Sequence, residues 1–201
     1  MNSAATTKPK VPDPCCFVIF GITGDLTHRL VIPALYNLAE SGLLPDKFCI
    51  VGVARNELDS QSLSADLMKS LHHFATRPVK QPIADKLLGC LTTVQVDAAD
   101  PASFVHLKNH LDKLARDGIR NALFYLAVPP TAFKPISIGL GQAGLLKQDN
   151  DHWRRLVIEK PFGTDLESAK TLNRDLLKIA NEHQIYRIDH YLGKETVQNI
   201  L

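Results

Sequence analysis

Short apolar runs, four to six residues long and rich in valine, isoleucine and phenylalanine, recur along this chain between stretches of helical pattern. They fall at 15–20, 48–53, 91–96, 122–127, 156–159 and 185–188, and the helical stretches at 26–41, 63–74, 101–116 and 166–180. A continuous apolar run of that length suits a strand buried on both faces, and alternation with helices makes the sheet parallel. The segment 131–144 is also expected to be helical, despite Pro135, Gly139, Gly141 and Gly144. Boundary residues agree with this pattern. Gly42 ends the first helix, Asp100 caps one that opens on Pro101, and Asp165 caps the stretch 166–180. The expected architecture is a Rossmann-like, doubly wound α/β domain with a mostly parallel sheet. Ligands in such sheets bind beyond the carboxyl ends of the strands.

Charge narrows the ligand. With 23 Lys and Arg against 21 Asp and Glu the net charge is +2, without the basic excess of a nucleic-acid binder. No apolar run approaches the length of a membrane span. Residues 1–14 hold two lysines and three prolines with no apolar stretch behind them, which reads as a disordered tail rather than a signal peptide. Cys15, Cys16, Cys49 and Cys90 follow no zinc spacing and are expected to be reduced core thiols of a cytoplasmic protein. His72, His73, His106 and His110 are expected to face solvent. His106 and His110 have metal-ligand spacing but no third ligand beside them, so no metal site is expected.

The first strand runs into Gly21-Ile22-Thr23-Gly24-Asp25-Leu26 and then a helix. Gly21 permits a tight turn, Gly24 lets backbone approach a pyrophosphate, and the helix N-terminus receives it. Thr23 and Leu26 stand where the usual fingerprint has its second and third glycines, so an ordinary β–α turn remains an alternative. The second strand is followed by Arg55. An NAD site wants a carboxylate there for the ribose hydroxyls, whereas the 2′-phosphate of NADP attracts arginine. Thr23 could add a hydroxyl donor to the same phosphate; Glu57 lies close by, and a plain surface arginine is the alternative. Further on, Glu159-Lys160-Pro161 ends a strand, and the Lys160–Pro161 bond is a candidate for cis. His190, Tyr191 and Lys194 follow Asp189 with donors suited to a phosphate monoester.

Taken together, Gly21–Leu26, 52–55, Tyr125-Leu-Ala-Val-Pro-Pro130, 159–163 and Arg187-Ile-Asp-His-Tyr-Leu-Gly-Lys-Glu195 resemble the glucose-6-phosphate dehydrogenase family in order and spacing. The resemblance implies oxidation of glucose 6-phosphate at C1 to the lactone with NADP as acceptor, the first step of the oxidative pentose phosphate pathway. It implies that Gly21, Ile22, Thr23, Gly24, Asp25, Leu26 and Arg55 hold the dinucleotide. Pro129 and Pro130 would border the nicotinamide, and Lys160 would bridge sugar and cofactor. His190, Tyr191 and Lys194 would hold the substrate phosphate, while Asp189 orients a histidine base expected beyond Leu201. On this reading residues 15–186 are the coenzyme domain and 187–201 the start of a second, α+β domain, largely absent here, through which family members form homo-oligomers. The chain alone is then expected to bind NADP at best, without turnover.

One departure stands out. Where the family has a lysine contacting the reacting centre, Thr27-His28-Arg29 leads to Leu30. Two other readings stay open: a different sugar dehydrogenase of the Glu-Lys-Pro type, which leaves 189–194 unexplained, and a non-catalytic NADP-binding module.

Overall fold

Val18 lies in register with Val51 on one side and Phe124 on the other, and this parallel pairing repeats across the sheet. The computed structural model describes residues 11–162 and 165–189. The strands are β1 (Cys15–Phe20), β2 (Phe48–Ala54), β3 (Leu91–Gln95), β4 (Asn121–Leu126), β5 (Arg154–Glu159) and β6 (Ile185–Ile188). All pair in parallel, in the order β3-β2-β1-β4-β5-β6. This is the doubly wound Rossmann arrangement expected from the sequence, with strand ends differing by one or two residues.

Helices α1 (Ile32–Glu40), α2 (Ser60–Phe74) and α3 (Gln81–Gly89) cover one face; α4 (Phe104–Arg116), α5 (Phe133–Gln142) and α6 (Leu166–Leu177) cover the other. In-register residues point to the same face. Ile19, paired with Gly52, thus shares its face with Ile50, two residues before that glycine. Both pack with Leu35, Leu67 and Leu87, while Val18, Val51 and Phe124 pack with Phe104, Leu107 and Ile136. Burying side chains of this size contributes roughly 1.5–3 kcal/mol each, and the two layers hold the strand ends in fixed relation.

The first helical stretch does not run unbroken through 26–41. Residues Thr27–Val31 form a π-helical turn, in which Ile32 N–H reaches Thr27 O, before α1 begins. Pro33 supplies the reason: it has no N–H to bond the carbonyl four residues back, and its ring crowds that carbonyl. Helix α3 has no counterpart among the expected elements, because Pro82 and Gly89 bracket so short an apolar spacing. Ala84, Leu87 and Leu88 nonetheless bury one face of it. The predicted caps are in place. Asp100 accepts from Ala102 N at 3.0 Å, Asp165 accepts from Ser168 N at 2.7 Å, and Gly42 has φ +66°.

All four cysteines are free thiols, with Cys15, Cys16 and Cys49 buried. Burial pushes the Cys15 and Cys90 thiols up to about 11, as expected of packing groups rather than reactive ones. His110 corrects an expectation. It is half-buried against β3, with Nε2 2.9 Å from Thr92 Oγ1, and burial lowers its basicity. Among the described residues no group of three or more metal-ligating side chains assembles, and no helix is long and apolar enough to cross a membrane.

Candidate functional site

The strand order reverses between β1 and β4, and there the sheet opens into a cavity of about 560 Å³ at the strands' carboxyl ends. Gly21, Thr23, Arg55, Asp97, Val128 and Pro129 contribute to its wall. Gly21 turns the chain out of β1 with φ +83°, a conformation that suits glycine. A Cβ there would also run into the Ala127 carbonyl oxygen. The turn is held from three sides. Gly21 N–H donates to Val53 O at 3.3 Å, Gly24 N–H donates to Gly21 O at 2.9 Å, and the fully buried Thr27 hydroxyl donates to the same carbonyl at 2.8 Å. Thr27 belongs to the site's framework and escaped the sequence reading. A hydroxyl one helical turn beyond Gly24 was the available signal.

The remaining predicted dinucleotide residues separate into two groups. Ile22 is fully buried, and its side chain packs against Gly52 in the α1–α3 layer. Leu26 packs partly into that layer. Helical backbone begins at Asp25, whose carboxylate pairs with Arg29 at 3.4 Å. The N–H groups of a helix's first turn lack intrahelical partners and favour anions. Thr23 and Arg55 are exposed and reach the cavity from β1 and β2. Arg55 makes no ion pair among the described residues, so its charge is available to a ligand. Pro130 begins a short 3₁₀ turn, Pro130–Ala132, just beyond Pro129. Leu30 lies on the π-helical turn and is 53% exposed, an apolar side chain facing water.

A second set of groups gathers where β5 and β6 end. Ile188 pairs with Glu159, and Lys160 N–H donates to Ile188 O at 3.2 Å. This register brings Lys160 Nζ to 2.7 Å from Asp189 Oδ2, an ion pair the sequence alone did not indicate. Its two members are 29 positions apart and meet only because β6 returns beside β5. The Lys160–Pro161 peptide is cis. On β4 the Tyr125 hydroxyl donates a hydrogen bond to Glu159, and its ring stacks on Phe17 with centroids 5.7 Å apart. Burial, followed by the Glu159 hydrogen bond and charge, raises the phenol's pKa well above its ordinary value. His190, Tyr191 and Lys194 lie outside the described residues.

A glycine turn at the switch point, a helix start behind it and a cation after β2 define a dinucleotide-binding domain of the Rossmann class. Comparison with known proteins places the chain within that class. Residues 18–199 match the family model described as glucose-6-phosphate dehydrogenase, NAD binding domain. The chain belongs to the glucose-6-phosphate dehydrogenase family. It is 42% identical over 195 residues to glucose-6-phosphate 1-dehydrogenase 2 of Mycobacterium tuberculosis, covering 96% of this chain and 38% of that protein. Identity to the glucose-6-phosphate 1-dehydrogenase of Aggregatibacter actinomycetemcomitans is 44% over 190 residues, with 93% and 38% covered. The crystal structure of the Mycobacterium avium enzyme superposes with a TM-score of 0.78 at 34% identity, covering 93% of this chain and 38% of that one. A glucose-6-phosphate dehydrogenase solved in complex with its substrate glucose 6-phosphate gives 0.80 at 29% identity, with 97% and 40% covered. The chain thus spans under half the length of these relatives.

Proposed function

We propose that this chain is the coenzyme-binding part of an enzyme that oxidises glucose 6-phosphate at C1 to the lactone, with NADP as the acceptor. The cavity that gathers Gly21, Thr23, Arg55 and Pro129 carries the reading. The Gly21 turn and the helix start at Asp25 suit a pyrophosphate, and a hydroxyl with a guanidinium suits a 2′-phosphate better than two ribose hydroxyls. Family membership supports the reaction class.

When bound, the nicotinamide supplies the hydride acceptor. The protein must then align the sugar and take up the hydroxyl proton as positive character builds on the carbinol carbon. Lys160 and Asp189 suit this task as a charge pair 2.7 Å apart. The ammonium can donate to a sugar oxygen, and the carboxylate can orient and support an imidazole base. His190, Tyr191 and Lys194 are the proposed holders of the substrate phosphate, whose binding energy serves alignment at the remote carbon. Leu30 offers the reacting centre no charge.

Fluorescence titration of the chain with NADPH and with NADH tests the coenzyme assignment. NADPH is expected to bind more tightly. Arg55→Asp should weaken NADPH by at least about tenfold, the size of one charge-assisted contact, and shift preference toward NADH. An unchanged ratio of the two affinities removes Arg55 from a phosphate site.

A further inference from the structure

The loop that carries Arg55 is fastened by side chains of the neighbouring strand. Residues 55–59 join β2 to α2, and β3 runs beside them. Gln95, at the end of β3, donates from Nε2 to the Arg55 carbonyl at 3.0 Å. Two residues earlier on the same face, the Thr93 hydroxyl donates to Leu58 O at 2.9 Å and lies 3.0 Å from Ser60 Oγ. At the far end Asp59 accepts from Ser62 N at 2.7 Å and caps α2. Main-chain pairing contributes one more tie, Val96 N–H to Ala54 O at 2.9 Å, and this ends where Arg55 begins.

Gln95 is exposed, so burial does not account for an amide at that place. What it does is fix the carbonyl of the residue whose guanidinium is proposed to meet the coenzyme's 2′-phosphate. The Arg55 side chain has several free torsions, and its reach is set by where its backbone starts. Holding that backbone before the ligand arrives removes part of the ordering cost of binding. We infer that Gln95 is a positioning residue for coenzyme choice: its amide places Arg55 so that the guanidinium meets the dinucleotide's 2′-phosphate. This inference rests on the proposed role of Arg55 at that phosphate. Thr93 acts alongside it by holding Leu58 and the start of α2.

A double-mutant cycle on the full chain tests it, with NADPH and NADH as the probes. Gln95→Met keeps the side chain's length and loses its donor. It is expected to weaken NADPH binding about fivefold, the order of one net hydrogen bond, and to leave NADH within twofold. In the Arg55→Ala background the same substitution should have almost no effect on NADPH, since there is no guanidinium left to place. Equal losses for NADPH and NADH, an undiminished loss without Arg55, or no loss at all would each overturn the inference. The two readings fail separately. If Arg55→Ala leaves NADPH affinity unchanged, the phosphate reading itself falls; if Arg55→Ala weakens NADPH and Gln95→Met does not, only the positioning role falls.

Discussion

Tyr125 shows how much a single side chain can carry without announcing itself in sequence. Its hydroxyl donates to Glu159 across the β4–β5 step, and its ring lies on Phe17 of β1, so one residue ties together three adjacent strands close to Lys160. A hydrogen bond to a carboxylate of this kind contributes about 1.5–3 kcal/mol. Tyr125→Phe should therefore lower the unfolding free energy in urea by about 1.5 kcal/mol; a change under about 0.5 kcal/mol would mean the bond is idle. A pH dependence accompanies it. The folded-state pKa is raised above the ordinary tyrosine value of 10.0, so the stabilisation is complete below that value and fades as pH rises above it. Tyr125→Phe should lose that alkaline sensitivity. At this scale the sequence revealed groups whose chemistry is local. Gly21 and Arg55 could be read from their places after a strand. The Lys160–Asp189 pair could not, because it depends on a neighbouring strand. Thr27 left only the faint signal of a hydroxyl one turn beyond Gly24, and its role depends on a folded-back backbone.

Among the elements, α5 forms where the sequence expects a helix, although its composition argues against one, and packing explains why. Three glycines and a proline between 135 and 144 argue against a helix on propensity alone, since each internal glycine costs about 1 kcal/mol relative to alanine. The structure places two of those glycines where nothing larger fits. A Cβ on Gly139 would enter the Phe104 ring, and one on Gly141 would strike Ile179. Close approach of α5 to α4 and to the chain after α6 outweighs the lost propensity. Gly139→Ala should consequently destabilise the protein by about 2 kcal/mol or more, although propensity predicts a gain of about 1 kcal/mol. Thermal or urea unfolding decides the sign, and a stabilised variant would refute the packing account. The π-helical turn at Thr27–Val31 is the reverse case. Pro33 was visible throughout, but its effect falls on the preceding turn, where apolar periodicity continues undisturbed.

Over the whole molecule, the alternation of apolar runs with helices was enough to give the parallel sheet, and the strand-end motifs located the cavity. Sheet order is a different kind of information. That β3, β2, β1 and β4 lie side by side, so that Arg55, Thr23 and Pro129 face a common space, depends on long-range pairing that no local pattern records. A dinucleotide in that space would touch the carboxyl ends of β1, β2 and β4 and so bridge the α1–α3 and α4–α6 layers. Unfolding either layer would release the ligand, so binding must stabilise the entire fold. NADPH at a hundredfold excess over its dissociation constant should add about 2.7 kcal/mol. For a chain of this size that corresponds to a rise in melting temperature of about 5–10 °C. The rise should keep growing with the logarithm of NADPH concentration. Arg55→Ala should shrink it for NADPH while leaving the NADH response intact. Gly21→Ala, whose Cβ would run into the Ala127 carbonyl, should remove both. A melting temperature that stays fixed from micromolar to millimolar NADPH would contradict a site built across the two layers.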